Sequence, residues 1–563
     1  MNILSVHYGH DSSACILKDG KIIFYFKEER FSRTKRDTIP FISIKKCIEN
    51  FNEEITHIII TSTEFNNSFF YIKKFISSFI KFPQDNNIID FTSQHHLSHV
   101  GTSFFNSGFE EAVVVVVDGR GSFYKNQVSE CESIYLMSYE NGVKPIIKNY
   151  FDCPYMHHDK IEHDIINEIK NNKNFEVNVF SKMGGITHLY SSSCLLIGQQ
   201  PTDGGKTMGL SSYGEKIKNF PKIFKNKNGE VNKKYFDIYS FGNFWKMPIF
   251  KEHYKKLTDN ITKENYKFYA DYAYEIQTQT QEAVGNLIEK AIKKTNIKKV
   301  CISGGYGMNI VANYYYLQRF PDVEFYFEPI ADDTGGSIGA AKILWYFETK
   351  GKTIRPLKTT SFHGVHHDIS SHKGKTTSIK EIAQLLYQNK SIAVYTGLAE
   401  VGQRALGNRS ILFNALNQDA KNLVNKIKKR EWYRPFAAMV LEEDANIYFD
   451  MGRIRSSPFM TICFPVRSEY VKIIPGVTHV DNTCRIQTIS KEDTYLYKLL
   501  QEFKKLSGHG ILLNTSFNLA GEPLVETPED AFSTLNNSFL DYLWFEETQQ
   551  LFKNKKIVTL GYS

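Results

Sequence analysis

Residues Glu111–Asp118 read EAVVVVVD. An unbroken β-branched run of this kind has no polar face, so it predicts a strand covered on both sides and a chain built in layers of helix and sheet. The run ends in an aspartate. An ionised carboxylate at the end of a buried strand costs several kcal/mol unless a cation or hydrogen-bond donors meet it. One segment therefore predicts both an architecture and a site.

The rest of the first 349 residues follows the same grammar. The opening reads strand, tight turn, strand: NILSVHY, GHDSSA, ACILKDG and KIIFYFKEER, with Asp19-Gly20 as a hairpin signal. An actin-like or sugar-kinase-like domain begins this way, its first hairpin turn facing a nucleotide cleft. Apolar residues at helical spacing predict a helix over Ala270–Lys294. Two strands then run into glycine turns, KKVCISGGYGMN and VEFYFEPIADDTGGSIGAA. The alternation predicts an α/β domain ending near Thr349. Lys350–Lys358 (KGKTIRPLK) reads as a linker, after which strands and helices restart at SIAVYTG, SILFNAL, NLVNKIKKREW, PFMTICFPV and HGILLNTSFN. The expected domains are 1–349 and 359–563, since 563 residues exceed a single core. The His-rich stretch Cys153–Phe175 has irregular spacing and reads as a solvated helix or insertion rather than a metal tract.

Composition narrows the class. The apolar run Ala112–Val117 is far below the length that crosses a bilayer. The opening MNILSVHYGHDSSA has no basic flank or long apolar segment, so it does not read as a signal peptide. Eight scattered cysteines without a C-x-x-C pair fit reduced thiols. A cytoplasmic protein without membrane attachment is expected. The charge of +8 fits clefts for phosphorylated substrates. Nucleic acid is disfavoured as a partner, because no recognition motif or aromatic-basic stripe accompanies that charge.

The chemistry is carried by dispersed side chains. In Gln94–His99 (QHHLSH), His95 and His99 stand one helical turn apart and project from one face, as two imidazoles on one metal ion would. Asp118 ends the valine strand, and Asp333 sits in a strand-to-helix glycine turn where a phosphate commonly approaches. Two imidazoles and two carboxylates suit iron, manganese or zinc with open positions. Neighbouring Asp332 reads as a turn residue. Backbone N–H groups of Ser303–Asn309 (SGGYGMN), with Gly304, Gly305 and Asn309, are placed to meet a nucleotide. Asp203–Gly209 (DGGKTMG) is a similar turn with Lys206 as a phosphate partner, although it lacks Walker A spacing.

With these residues in place, the chain resembles the O-carbamoyltransferases that act on nodulation factors, cephems and aminoglycosides such as tobramycin. The motifs that carry the resemblance run in order: HDSSA, EERFSR, HHLSH, DGRGS, GGKTMGLSSYG, SGGYGMN, DDTGGSIGAA, VGQRALGNRSIL, KKREWYRPFA, SPFM, GVTHVDNTCRIQT and LLNTSFNLAGEPLVETPED. It implies an N-terminal actin-like domain, similar to the tRNA threonylcarbamoyl-transfer proteins. It also implies a C-terminal α/β domain similar to the threonylcarbamoyl-adenylate synthases. The family's metal, usually Fe2+, falls on His95, His99, Asp118 and Asp333, with Mn2+ or Zn2+ as alternatives. Gln403 and Cys484 depart from the family pattern, where Pro and a small residue are usual.

In the C-terminal half, Arg404, Arg409, Lys429, Arg430, Arg434 and Arg485 form a set of cations suited to carbamoyl phosphate and to ATP with Mg2+. Ser516 and Asn518 resemble the Ser-x-Asn element of the adenylate synthases. The implied reaction makes carbamoyl adenylate from carbamoyl phosphate and ATP, then passes the carbamoyl group to a hydroxyl. His10 or Asp11 is expected to accept the hydroxyl proton. The acceptor expected is a small hydroxylated molecule: a sugar, an antibiotic intermediate or a hydroxymethylated nucleotide. A homodimer is the default for enzymes of this size. A tRNA threonylcarbamoyl-transfer enzyme is the alternative, a sugar kinase the remoter one, and a nucleotide-dependent regulator the non-enzymatic one.

Overall fold

The structure, a computed structural model, describes residues 1–63, 68–81, 87–124, 128–152, 174–180, 185–232, 261–349 and 355–556. The His-rich stretch therefore lies outside the described residues except at positions 174 and 175, as do positions 350–354 of the linker. Mixed α/β structure forms two compact units: Met1–Tyr25 with Thr38–Thr359, and Phe26–Asp37 with Thr360–Ser563. No helix among the described residues is long and apolar enough to cross a membrane.

The first unit holds two sheets. In one, β1 (Asn2–Tyr8) lies between antiparallel β2 (Ser13–Lys18) and parallel β4 (His57–Ser62), flanked by β3 (Lys21–Lys27) and β5 (Ile88–Asp90). Asp19 and Gly20 both take positive φ, the primed geometry of a two-residue hairpin. In the other sheet, the valine run is β6 (Glu111–Val117), with Ala112 through Val117 fully buried. It pairs antiparallel with β8 (Val128–Ser138), which follows the short β7 (Phe123–Tyr124), and parallel with β11 (Lys299–Ser303). Outer strands β9 (Gly142–Asp152), β10 (Glu176–Phe180) and β12 (Glu324–Phe327) complete it. The expected long helix spans Tyr266–Thr295.

Two helices set the geometry of the first unit's site, His95–Ser107 and Gly336–Glu348. They cross nearly backbone to backbone. A Cβ on Gly339 would lie 1.8 Å from the Ser98 carbonyl oxygen, and one on Gly101 would lie 2.3 Å from that of Gly339. Gly339→Ala must therefore spread the helices, and overpacking of this kind costs about 1–3 kcal/mol. The expected result is a lower midpoint in chemical denaturation.

The second unit is built on nine strands in the order β13-β21-β20-β14-β15-β19-β16-β18-β17 among the described residues. These are β13 (Lys375–Thr376), β14 (Ile392–Tyr395), β15 (Arg409–Asn414), β16 (Ala437–Leu441), β17 (Cys463–Pro465), β18 (Thr483–Ile489), β19 (Ile511–Ser516), β20 (Tyr542–Phe545) and β21 (Gln550–Lys553). One apolar cluster gathers Leu499, Phe503, Leu512 and Trp544, and another gathers Ala393, Phe517, Leu543 and Phe545. The β-strands of this unit alternate these two sets of side chains, which identifies helix-covered faces on both sides.

Candidate functional sites

His95 and His99 open their helix on one face, and their Nε2 atoms meet at 3.1 Å. The Asp118 carboxylate arrives from the end of β6, with Oδ2 at 3.5 Å from His95 Nε2. Its other oxygen accepts from the Gly305 amide at 2.9 Å, which fixes the carboxylate's orientation. Gly305 follows Gly304, whose φ of +86° and near contact with Val117 only glycine tolerates: a Cβ there would lie 2.4 Å from the Val117 carbonyl oxygen. Asp333 places Oδ1 at 3.4 Å from His95 Nε2 and 3.5 Å from His99 Nε2. Its turn is pinned by Tyr25 Oη donating to Thr334 O at 3.0 Å, Thr102 Oγ1 to Gly335 O at 2.8 Å and Ser5 Oγ to Ser337 O at 2.7 Å.

The donor set fits a metal ion. One ligand atom from each of the four buried residues lies within 4.8 Å of the others. Neighbouring donors at 3.1–3.5 Å match the edges of a polyhedron whose metal–ligand bonds are about 2.0–2.2 Å. The Asp333 carboxylate is only 1% exposed, and the polar groups facing it are the imidazoles of His95, His99, His10 and His7 at 3.3–3.7 Å. A buried anion in that state calls for a cation. Burial pulls the His95 imidazole down, but Asp333 and Asp118 outweigh it and raise it to about 9. Burial likewise opposes the charge of Asp333, yet His10 and His95 hold it well below the usual carboxylate range.

Two further histidines flank the other edge of Asp333. His10, half exposed, places Nε2 at 3.3 Å from Asp333 Oδ2 and Nδ1 at 3.3 Å from Asp11 Oδ2. The Asp333 charge is the main reason that His10 is raised to about 10. Asp11 is buried at φ +61°, a left-handed turn that aspartate tolerates better than most residues. His7 on β1, not singled out from the sequence, is fully buried with Nε2 at 3.7 Å from Asp333 Oδ2. Burial pushes it down to about 3, so it stays neutral there. A histidine within an apolar strand carries no sequence signal that distinguishes this position.

The expected nucleotide residues of this unit have other engagements. Asn309 caps the Ile310–Arg319 helix by accepting from the Ala312 amide at 3.0 Å, and it exchanges amide hydrogen bonds with Gln277 at 2.9 and 3.1 Å. The stretch read as a second glycine turn is instead the start of a helix, Gly204–Ser211; Asp203 precedes it, and only two glycines lead into helix-compatible residues. Lys206 there pairs with Asp203 at 3.0 Å.

A second cluster forms in the other unit. Lys428 is buried, and its Nζ donates to Ser516 O and, at 3.2, 2.8 and 3.1 Å, to Ser516 Oγ, Asn518 O and Asn518 Oδ1. Burial, then the charges of Arg430, Arg434 and Lys35, push this ammonium well below its ordinary value. Arg430 donates to Asn425 Oδ1 at 2.6 Å and Pro435 O at 3.0 Å, with Arg434 and Arg485 as cationic neighbours. Arg485, on β18, in turn feels Arg404 and Arg434. The sequence predicts Lys429 here, but that residue is exposed at a left-handed turn, φ +52°, and the buried Lys428 next to it makes the contacts. Arg409, expected as an anion ligand, is fully buried. Its guanidinium donates to the carbonyls of Thr396, Gly397 and Asn408 and lies 3.7 Å from the Tyr395 ring centroid. It holds the β14–β15 loop.

Comparison with known proteins bears on both units. The family described as Carbamoyltransferase N-terminus matches residues 66–342, and Carbamoyltransferase C-terminus matches residues 383–550. An uncharacterized protein of Synechocystis sp. is 27% identical, covering 96% of this chain and 94% of its own length. The nodulation protein NolNO of Sinorhizobium fredii is 26% identical over 95% of this chain and 78% of its own. Among solved structures, full-length HypF in its phosphate- and nucleotide-bound form aligns over 64% of this chain and 56% of that one, at 14% identity and a TM-score of 0.37. With family matches in both units and the two clusters in place, the chain belongs to the carbamoyltransferase family and is an enzyme of that family.

Proposed function

We propose that this enzyme is an ATP-dependent O-carbamoyltransferase whose second unit makes carbamoyl adenylate and whose first unit, an actin-like domain, passes the carbamoyl group to a hydroxyl. The observation that carries this reading is the presence of two chemically distinct buried clusters: His95, His99, Asp118 and Asp333 in one unit, and Lys428 with Ser516, Asn518 and arginines in the other.

In the second unit, water releases phosphate from carbamoyl phosphate, and the carbamate oxygen then attacks the α-phosphorus of ATP, with pyrophosphate leaving. Lys428, Arg404, Arg430, Arg434 and Arg485 offset the negative charge of these groups, while Ser516 and Asn518 orient them. Mg2+ accompanies the ATP. In the first unit an acceptor hydroxyl attacks the carbamoyl carbon and AMP departs. A cation held by His95, His99, Asp118 and Asp333, Fe2+ in this reading, supplies positive charge for an anionic phosphate or a polarised carbonyl. Asp11 or His10, paired at 3.3 Å, takes the hydroxyl proton in this reading. Gly305 keeps Asp118 oriented, and this reading assigns the nucleotide to Lys206, Gly304, Gly305 and Asn309. The acceptor is a small hydroxylated molecule.

Labelled carbamoyl phosphate, ATP and a polyol panel provide the test. AMP and pyrophosphate are the expected nucleotide products, with a carbamoyl mass added to an acceptor. ADP and phosphate as the sole nucleotide products would reject the adenylate route.

A further inference from the structure

The EERFSR motif, Glu28–Arg33, belongs to neither cluster, yet Phe26–Asp37 packs as part of the second unit. The chain enters this segment along β3. Glu28, Glu29 and Arg30 of its short helix are buried. Arg30 donates from Nη2 to Glu400 O at 3.2 Å. The Glu400 carboxylate, 2% exposed, accepts through one oxygen from the amides of Leu406, Asn408 and Arg409 at 2.7, 2.9 and 3.2 Å. That oxygen gathers residues 400–409 into a closed loop, and Arg404 lies on it.

Arg33 grips a second loop. Its Nη1 donates to Leu524 O at 2.8 Å and its Nη2 to Pro523 O at 3.2 Å, while Nε lies 3.4 Å from Asp530 Oδ1. Those carbonyls lie on the loop that begins at Ser516, which is closed by Asn518 Nδ2 donating to Glu522 O at 2.7 Å and by the Val525 amide donating to Phe517 O at 3.1 Å. A guanidinium fork spans two adjacent carbonyls, which a lysine ammonium cannot do in the same way. Neither arginine belongs to the apolar clusters that hold the unit together.

We propose that Arg30 and Arg33 are positioning residues of the adenylate-forming site, holding the 400–409 and 516–525 loops so that Arg404, Ser516 and Asn518 meet carbamoyl phosphate together. The inference rests on the reading of that site given above. Arg33, at 31% side-chain exposure, is the better residue to change, since its loss leaves the core intact.

In the full-length enzyme, Arg33→Ala should weaken carbamoyl phosphate binding in titration calorimetry and raise its KM for pyrophosphate release by about tenfold or more, with kcat much less affected. Arg33→Lys should restore part of the loss, and transfer from supplied carbamoyl adenylate should be unchanged. Unaltered binding and KM in a folded Arg33→Ala protein would overturn the proposal, as would equal loss of both half-reactions with a lower melting temperature. If the wild type binds carbamoyl phosphate but never releases pyrophosphate, the adenylate reading fails while the binding arm still decides this one. A wild type that binds no carbamoyl phosphate overturns both.

Discussion

On the proposed reading, Asp333→Asn is expected to abolish metal binding and carbamoyl transfer while leaving pyrophosphate formation intact. Asp333 is the carboxylate to which both imidazoles turn, at 3.4 and 3.5 Å, while its other oxygen faces His10 at 3.3 Å. An amide offers a weaker neutral oxygen and an NH2 group that would point at the cation or at His10. Altering even an outer partner of a metal ligand typically weakens affinity 10–100-fold, so loss of a direct ligand should exceed about a hundredfold. The several kcal/mol that a cation contributes to a charged transition state then translate into a transfer rate reduced on the order of a thousandfold or more. Metal content by emission spectrometry and competition with a chelator read the first effect, and the two half-reactions assayed separately read the second. His95→Ala should behave alike. If either variant lost pyrophosphate formation as well, the assignment of the two steps to the two units would be wrong.

The parts of this site that are legible in sequence are those set by local geometry. Histidines four apart on a helix share a face whatever surrounds them, and the β-branched run at 111–117 has to end somewhere that Asp118 can be satisfied. The glycines at 304 and 339 mark where backbones approach, and the structure shows why: Val117 crowds one and Ser98 the other. What sequence could not supply depends on contacts far apart along the chain. His7 sits in a strand that reads as core, and it faces Asp333 only because β1 runs beside that turn. Asn309 sits in a glycine-rich motif, but Gln277, thirty-two positions earlier, already holds its side chain. The membership of residues 26–37 in the second unit leaves no periodicity to read, since the segment is held by arginine donors on distant carbonyls. Lys428 and Lys429 are indistinguishable as letters. The left-handed turn at Lys429 decides which one is buried.

Lys428→Met should abolish adenylate formation without unfolding the enzyme. The side chain is buried among four oxygens of Ser516 and Asn518, and an ammonium has three protons with which to meet them. Removing the cation that orients this pair should slow pyrophosphate release on the order of a hundredfold or more. Transfer from supplied carbamoyl adenylate should persist. The pKa of this lysine is depressed in the folded state relative to about 10.4 in an unfolded chain. The unfolded state therefore binds more protons between the two values, and the native lysine becomes less burdensome as pH rises through that window. Methionine removes a group whose charged form burial and three neighbouring cations disfavour, which offsets the lost hydrogen bonds. The melting temperature at pH 7 should accordingly hold. An anionic ligand reverses the balance, because a nearby negative charge favours the ammonium form. Carbamoyl phosphate should thus bind with uptake of a proton, and with an affinity that declines as pH rises from the lysine's depressed free-enzyme pKa towards its higher pKa in the complex. Calorimetry in buffers of different ionisation enthalpy measures that uptake directly, and Lys428→Met should eliminate it. Pyrophosphate release at the wild-type rate in the variant would remove Lys428 from the reaction, and proton uptake unchanged by the substitution would assign the titrating group elsewhere.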